Sequence, residues 1–211
     1  MSPDRPQDPT VWVVDDDAAL RNALRFLVES IGLPVRTCGT SEELLAAYDP
    51  ALPGCMVVDV RMPGMSGLEL QDELDRRGRH VPMIFLTAHG EVAMAVRAVK
   101  KGAFDFVEKP FSNQALLDRI REAVAADQQA RVALARHAAA RARLEQLSPR
   151  EREVLDRVAL GRSNKAIASE LGLATRTVEF HRARIMQKME ADSLAALLTA
   201  LSLARSAPPG H

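Results

Sequence analysis

Five residues of this 211-residue chain carry groups that, brought together, could handle a phosphoryl group: Asp15, Asp16, Asp59, Thr87 and Lys109. Carboxylates held close repel, and each is driven to bind a proton unless a cation intervenes. A hard divalent ion such as magnesium fits such a cluster, because it takes oxygen ligands and completes its shell with water and phosphate oxygens. Thr87 offers a hydroxyl and Lys109 a point positive charge, both suited to phosphoryl oxygens. In that company Asp59 can act as a nucleophile and form an acyl phosphate. Each residue also has a plainer role when taken singly. Asp15-Asp16-Asp17 can cap a helix and supply first-turn charge, Asp59 can end a strand, and Lys109 can sit in a solvated loop. The chemistry holds only if one fold gathers all five.

The elements that would gather them alternate along the front half. Thr10-Val-Trp-Val-Val14 is a β-rich run that meets the three aspartates. Leu20, Leu24, Leu27, Val28 and Ile31 then mark one helical face, with Gly32 as the stop. Val35 to Cys38 is a second strand, and Thr40-Ser-Glu-Glu43 forms a capping box for a helix through Leu44, Leu45 and Tyr48. Cys55-Met-Val-Val58 runs without polar alternation into Asp59, as a strand buried on both faces does, and Met62-Pro63-Gly64 turns the chain. A helix over Ser66 to Arg77, a strand over Val81 to Thr87, a helix over Glu91 to Lys101 and a strand over Ala103 to Val107 follow. Ser112 caps a helix carrying Leu116, Leu117, Ile120 and Val124. This alternation within residues 9–125 predicts a flavodoxin-like, doubly wound, five-stranded parallel α/β sheet. In that topology the carboxyl ends of strands one, three, four and five crowd together, so the five residues meet at one edge.

Bulk properties set the class. Apolar residues at 47% and charged residues at 27% exclude a disordered chain. No run approaches the roughly 20 apolar residues that span a bilayer, and the amino terminus lacks a signal core. Cys38 and Cys55 lie in apolar runs and read as reduced core residues of a cytoplasmic protein. Residues 1–124 carry 14 Lys+Arg against 19 Asp+Glu, or −5, whereas residues 148–211 carry 10 against 7, or +3. An acidic front and a basic back suggest two domains with different partners, the rear one suited to a polyanion.

The front half resembles a response-regulator receiver domain of a two-component system. Asp15-Asp16, Val57-Val-Asp59, Met62-Pro-Gly64, Thr87-Ala88 and Lys109-Pro110 carry the likeness. The resemblance implies that Asp59 accepts phosphoryl from a phosphohistidine on a sensor histidine kinase. It implies magnesium, with manganese able to substitute, held directly by Asp16, Asp59 and the Arg61 main-chain carbonyl, with Asp15 acting mostly through water. Thr87 and Lys109 would hold the phosphoryl oxygens, Thr87 and Phe106 would switch, and Lys109-Pro110 would be cis. The protein would be no enzyme beyond assisting its own phosphotransfer and dephosphorylation.

Ser112 to Leu147 contains neither Gly nor Pro and is rich in Ala and Arg over residues 123–143, which predicts a long, partly exposed helical connector. Its arginines read as a solvated face in preference to a DNA contact. Beyond it, Ser148 as cap, Pro149 at the first helical position and Glu151 closing a capping box start a helix that Gly161 ends. A helix over Asn164 to Leu171, a stop at Gly172 and a basic helix over Thr177 to Met189 read as a helix-turn-helix. Val178, Ile185 and Met189 would point inward, and Arg182, Arg184 and Lys188 outward. Ser193 to Arg205 carries Leu194, Leu197, Leu198 and Leu201, either intramolecular core or a dimer seam.

Leu147-Ser-Pro-Arg-Glu-Arg-Glu-Val-Leu155, Asn164-Lys-Ala-Ile-Ala168 and Thr177-Val-Glu-Phe-His181 resemble a LuxR-type DNA-binding domain of the FixJ kind. The resemblance places the helix from Thr175 to Met189 in the major groove, with Glu179, Phe180 and Ala183 near bases. Lys165, Thr177, His181, Arg182, Arg184 and Lys188 become candidates for the DNA backbone, although His181 can equally be packed or capping. Relatives often set Ser-Pro before this helix. Here Ala174-Thr175 stand there, so either Thr175 takes over the cap or about 1 kcal/mol is lost.

The expected organisation is a lead (1–8), a receiver (9–125), a helical linker (126–146), a DNA-binding domain (147–206) and a tail (207–211). The expected function is a transcriptional response regulator in which phosphorylation of Asp59 promotes homodimerisation and binding to an inverted repeat in promoter DNA. RNA polymerase is a further partner, and a membrane is not. Two alternatives stand beside it. One is a DNA-binding regulator with an inactive receiver; the other is a magnesium-dependent phosphatase of the haloacid-dehalogenase kind, which Asp15-x-Asp17 fits but which lacks the cap insertion.

Overall fold

The computed structural model describes residues 8–88 and 102–207. The lead through residue 7, the helix expected over Glu91 to Lys101 and the tail from residue 208 lie outside the described residues. The chain divides into two compact units between Arg131 and Val132.

The amino-terminal unit is built on a parallel sheet in the order β2-β1-β3-β4-β5. Its strands are β1 (Thr10–Val14), β2 (Val35–Cys38), β3 (Gly54–Asp59), β4 (Met83–Thr87) and β5 (Asp105–Glu108). Between them lie α1 (Ala18–Glu29), α2 (Ser41–Ala47) and α3 (Gly67–Arg76), and α4 (Asn113–Glu145) follows β5. Because side chains alternate across a strand, each central strand feeds two cores. Trp12, Val14, Met56, Val58, Met83 and Phe85 pack on one face with Leu44, Leu70 and Leu74 of α2 and α3. Val11, Val13, Cys55, Val57, Ile84 and Leu86 pack on the other with Leu24, Val28, Leu116 and Ile120 of α1 and α4. Full burial on both faces is why these strands read as unbroken apolar runs.

Local differences from the sequence expectation have physical causes. The strand expected from Val81 begins at Met83, since Pro82 has no N–H to give a ladder. The fifth strand runs Asp105–Glu108 instead of Ala103 to Val107, shifted along β4 by the pairing of Asp105 with Ile84. Thr40 caps α2 through Glu43 N–H, but no capping box closes, because the Glu43 carboxylate accepts from Gly39 N–H at 2.7 Å. The capping box stands instead at Ser66 and Glu69, at the start of α3. α4 continues without a break into the predicted connector. Its Asp127 and Arg131, expected in the linker, bond back to the amino-terminal unit. Asp127 accepts from Gly54 N–H at 2.9 Å and from Arg131 Nε at 2.7 Å, and Arg131 donates to the carbonyls of Ala51 and Leu52.

The carboxy-terminal unit holds α5 (Pro149–Ala159), α6 (Asn164–Leu171), α7 (Thr175–Lys188) and α8 (Leu194–Arg205). Val154, Leu155, Val158, Ile167, Val178, Ile185, Met189, Leu197 and Leu201 form its core. Ser148 and Glu151 close the predicted capping box, and Gly172 ends α6 in the left-handed conformation at φ 64°. The leucine stripe of α8 divides: Leu197 and Leu201 are buried, while Leu194 and Leu198 are exposed. Thr175 does not take over the cap of α7. It is the first helical residue, Ala174 stands at the cap, and no side chain bonds to the first turn.

Candidate functional site

Strand register gathers the acidic residues. Val14 pairs with Val58, and Asp59 with Leu86, so Asp15 and Asp16 follow β1 beside the end of β3, and Thr87 ends β4 next to them. Lys109 follows β5, and its N–H donates to the Thr87 carbonyl at 2.8 Å, which ties the two loops together. The Lys109–Pro110 peptide is cis, as expected. Lys109 Nζ then reaches Asp59 Oδ2 at 2.6 Å and Asp15 Oδ2 at 3.0 Å. Gly67 makes the close packing here possible: a Cβ on it would lie 2.4 Å from the Asp59 carbonyl oxygen. That requirement is invisible in the sequence, where Gly67 falls at the start of the helix expected over Ser66 to Arg77.

The three carboxylates can present one oxygen each within 4.8 Å of one another. Asp15 is 1% exposed. Burial pushes its pKa above the usual carboxylate range, against the pull of the Asp17 N–H and Lys109 bonds, and the neighbouring Asp59 charge pushes the same way. Burial alone would lower Lys109, but its bonds to Asp59 and Asp15 outweigh that and hold it above the ordinary lysine value. Both Asp15 oxygens already have donors, Asp17 N–H on Oδ1 and Lys109 on Oδ2. Asp59 takes Arg61 N–H on Oδ1 at 3.1 Å, and Asp16 faces solvent. One lysine against three carboxylates leaves two formal negative charges on an all-oxygen donor set, which fits a magnesium-sized divalent cation. Phe106 is 37% exposed on edge strand β5, where it pairs with Phe85 of β4.

In the carboxy-terminal unit the surface of α7 carries Glu179, Phe180, Ala183 and Arg184 outward, and Thr177 and His181 half-buried. The basic residues of this unit separate into two groups. Arg150 pairs with Glu153, Arg157 and Arg162 with Glu170, and Arg205 with Asp156. Lys188, expected to face outward, instead donates to the buried Glu151 carboxylate at 2.7 Å and to the Gln146 carbonyl at 3.2 Å. Arg182 is braced by Asn164 Oδ1 at 3.0 Å. On α6 and α7, Lys165, Arg176, Arg182 and Arg184 have no acidic partner among the described residues. Arg176 carries no signal in the sequence beyond a place in the first turn of the basic helix.

Known proteins share both halves of this arrangement. Residues 11–121 match the response regulator receiver domain family, and residues 145–201 match the bacterial regulatory proteins of the luxR family. The chain is 46% identical over 204 residues to the transcriptional regulatory protein FixJ of Azorhizobium caulinodans, covering 96% of each protein. The chain belongs to the FixJ/NarL family of two-component response regulators. Nodulation protein W of Bradyrhizobium diazoefficiens is 46% identical over 188 residues, 89% of this chain and 83% of that protein. The solved structure of response regulator StyR superimposes with a TM-score of 0.86 at 43% identity, covering 92% of this chain and 98% of that one. This response regulator is therefore a DNA-binding component of a two-component phosphorelay, with a receiver and a LuxR-type helix-turn-helix domain. Receiver chemistry is confined to phosphotransfer and dephosphorylation, so it is not a turnover enzyme. Among the described residues no helix is long and apolar enough to cross a membrane.

Proposed function

We propose that Asp59 is the phosphoacceptor, and that its phosphorylation promotes homodimerisation and binding to an inverted repeat in promoter DNA. The observation that carries the phosphoacceptor assignment is the Lys109 ammonium, shared at 2.6 and 3.0 Å between Asp59 and Asp15 beside Thr87. An Asp59 oxygen attacks phosphorus of a phosphohistidine on a sensor kinase; the P–N bond breaks, the imidazole leaves with a proton, and an acyl phosphate forms. Asp16, Asp59 and the Arg61 carbonyl would hold magnesium, with manganese able to substitute, and Asp15 would act mostly through water. The bound ion would neutralise charge on the transferring oxygens.

The new group brings about −1.5 to −2 charge and three acceptor oxygens. Lys109 exchanges its carboxylate bond for one of those oxygens, and the Thr87 hydroxyl turns to another. Phe106 moves inward as Thr87 leaves, which changes the surface around β5 where a second receiver docks. Two linked DNA-binding units then meet two half-sites at once, gaining affinity through effective concentration. In each, α7 enters the major groove. Glu179, Phe180 and Ala183 face bases, and Lys165, Arg176, Arg182, Thr177 and His181 face the backbone. RNA polymerase would then be met at the promoter.

Incubation with magnesium and acetyl phosphate should add one phosphoryl group by mass, and none to D59N. A wild type that gains no group, or a D59N chain that still gains one, refutes the site. Equal DNA affinity with and without the phosphodonor would instead favour a regulator whose receiver is inactive.

A further inference from the structure

Position on α7 sorts its polar residues. At 100° per residue, Phe180 lies opposite the buried line of Val178, Ile185 and Met189, and Arg184 lies about 40° beside it. Arg182 and Lys188 fall nearer the core line, which is why Asn164 and Glu151 can hold them. Phe180 is 59% exposed at the centre of the outward face. An aromatic ring there adds nothing to the core of the unit. One turn on, the Arg184 guanidinium stands over that ring, 5.6 Å from its centroid. The His181 ring meets it edge-on at 5.9 Å. Arg184 has no other partner among the described residues, so all five of its N–H donors stay available.

We infer that Phe180 and Arg184 act as one base-reading unit, Phe180 against a thymine methyl and Arg184 on O6 and N7 of an adjacent guanine. This rests on α7 entering the major groove, as proposed above. Phenylalanine is a fitting partner for the methyl that marks thymine there, and arginine for the paired acceptors of guanine. The ring draws the guanidinium toward the centre of the face, where base edges lie, and away from its flanks, where phosphates run. Stacking on an aromatic ring also limits the orientations of the fork before DNA arrives, which lowers the ordering cost of a bidentate contact. Ala183, small and exposed on the flank of Phe180 away from Arg184, leaves room for the base pairs to approach.

Selection from random duplex DNA with the phosphodonor-treated full chain would recover a site, to be measured with wild type, F180V, R184A and the double variant. Both substitutions are on the surface, and circular dichroism should show the native helix content. A guanine next to a thymine is expected in the wild-type site. R184A should lose roughly 10–100-fold on it and accept any base at the guanine. Replacing that guanine by 7-deazaguanine should weaken the wild type and leave R184A unchanged. Replacing the thymine by deoxyuridine should weaken the wild type and leave F180V unchanged. F180V should also relax the guanine preference, with the double variant losing less than the two single losses combined. If R184A instead weakens all sequences equally and lowers the salt slope by about one, Arg184 is a phosphate contact and the inference is wrong. The same holds if all variants select one motif. A wild type that selects no sequence overturns the groove placement of α7 as well, which separates the two failures.

Discussion

Replacing Lys188 by methionine separates a structural lysine from a DNA-binding one. Glu151 sits at 5% exposure in the first turn of α5. Its Oε2 accepts from Ser148 N–H at 2.8 Å and from Lys188 Nζ at 2.7 Å. Burial pushes Glu151 upward, yet the bonds from Lys188 and Ser148 outweigh it and hold the carboxyl below its usual range. Removing one member of a buried pair costs about 3–5 kcal/mol. Here the Lys188 side chain is 31% exposed and the Ser148 bonds survive, so the expected loss is about 1–3 kcal/mol. For a domain of this size each kcal/mol moves Tm by about 4–8 °C. A carboxyl held low stabilises the fold above its unfolded value, about 4.3, and stops doing so as the pH falls through its folded value. The gap between wild type and K188M should therefore be full at pH 7 and narrow below about pH 4.5. Calorimetry of the full chain would measure it, with hydrogen exchange in α5 and α7 assigning the transition. The salt dependence of DNA binding should not change. An unaltered melting profile together with a slope smaller by about one would refute this account and return Lys188 to the phosphates.

Three further outcomes follow from described geometry. Replacing Ala174 by serine should supply the missing cap of α7 and raise the stability of the carboxy-terminal unit by about 1 kcal/mol in urea unfolding. Replacing Gly67 by alanine, whose Cβ would lie 2.4 Å from the Asp59 carbonyl, should force the end of β3 to move and slow phosphorylation by acetyl phosphate more than it lowers overall stability. Cys55 is fully buried and its thiol is pushed up to about 12, so Ellman's reagent should leave it unmodified at pH 8 until the receiver unfolds.

The receiver was legible because its signals are local. Central strands buried on both faces must be apolar throughout, and the first polar residue after each marks the strand end, which is how Asp15, Asp59 and Thr87 announce themselves. Lys109 follows the fifth strand in the same way, although the limits of that strand did not, since an edge strand is half polar. What was not legible depends on contacts between distant residues. Nothing near Gly67 says that a carbonyl lies where its side chain would be. Asp127 and Arg131 look like an exposed i, i+4 pair until Gly54 and the carbonyls of Ala51 and Leu52 are placed beside them. Lys188 lies in a basic helix and only the fold reveals Glu151 beneath it. The cap of α7 failed for another reason: threonine one position late is already inside the helix.

The pairing of so many cations within the carboxy-terminal unit bears on how the protein finds its target. If Arg184 reads a base, Lys165, Arg176 and Arg182 remain on α6 and α7 to displace counterions from the duplex. Three displaced ions correspond to a logarithmic salt slope of about −3 per unit. A single unit would then be held only briefly by arbitrary sequence, and the much larger number of wrong sites on a chromosome would trap few molecules. Residence on DNA would come from recognition by two units together, and under the proposed dimerisation the unphosphorylated pool would stay largely in solution, where a kinase can reach it.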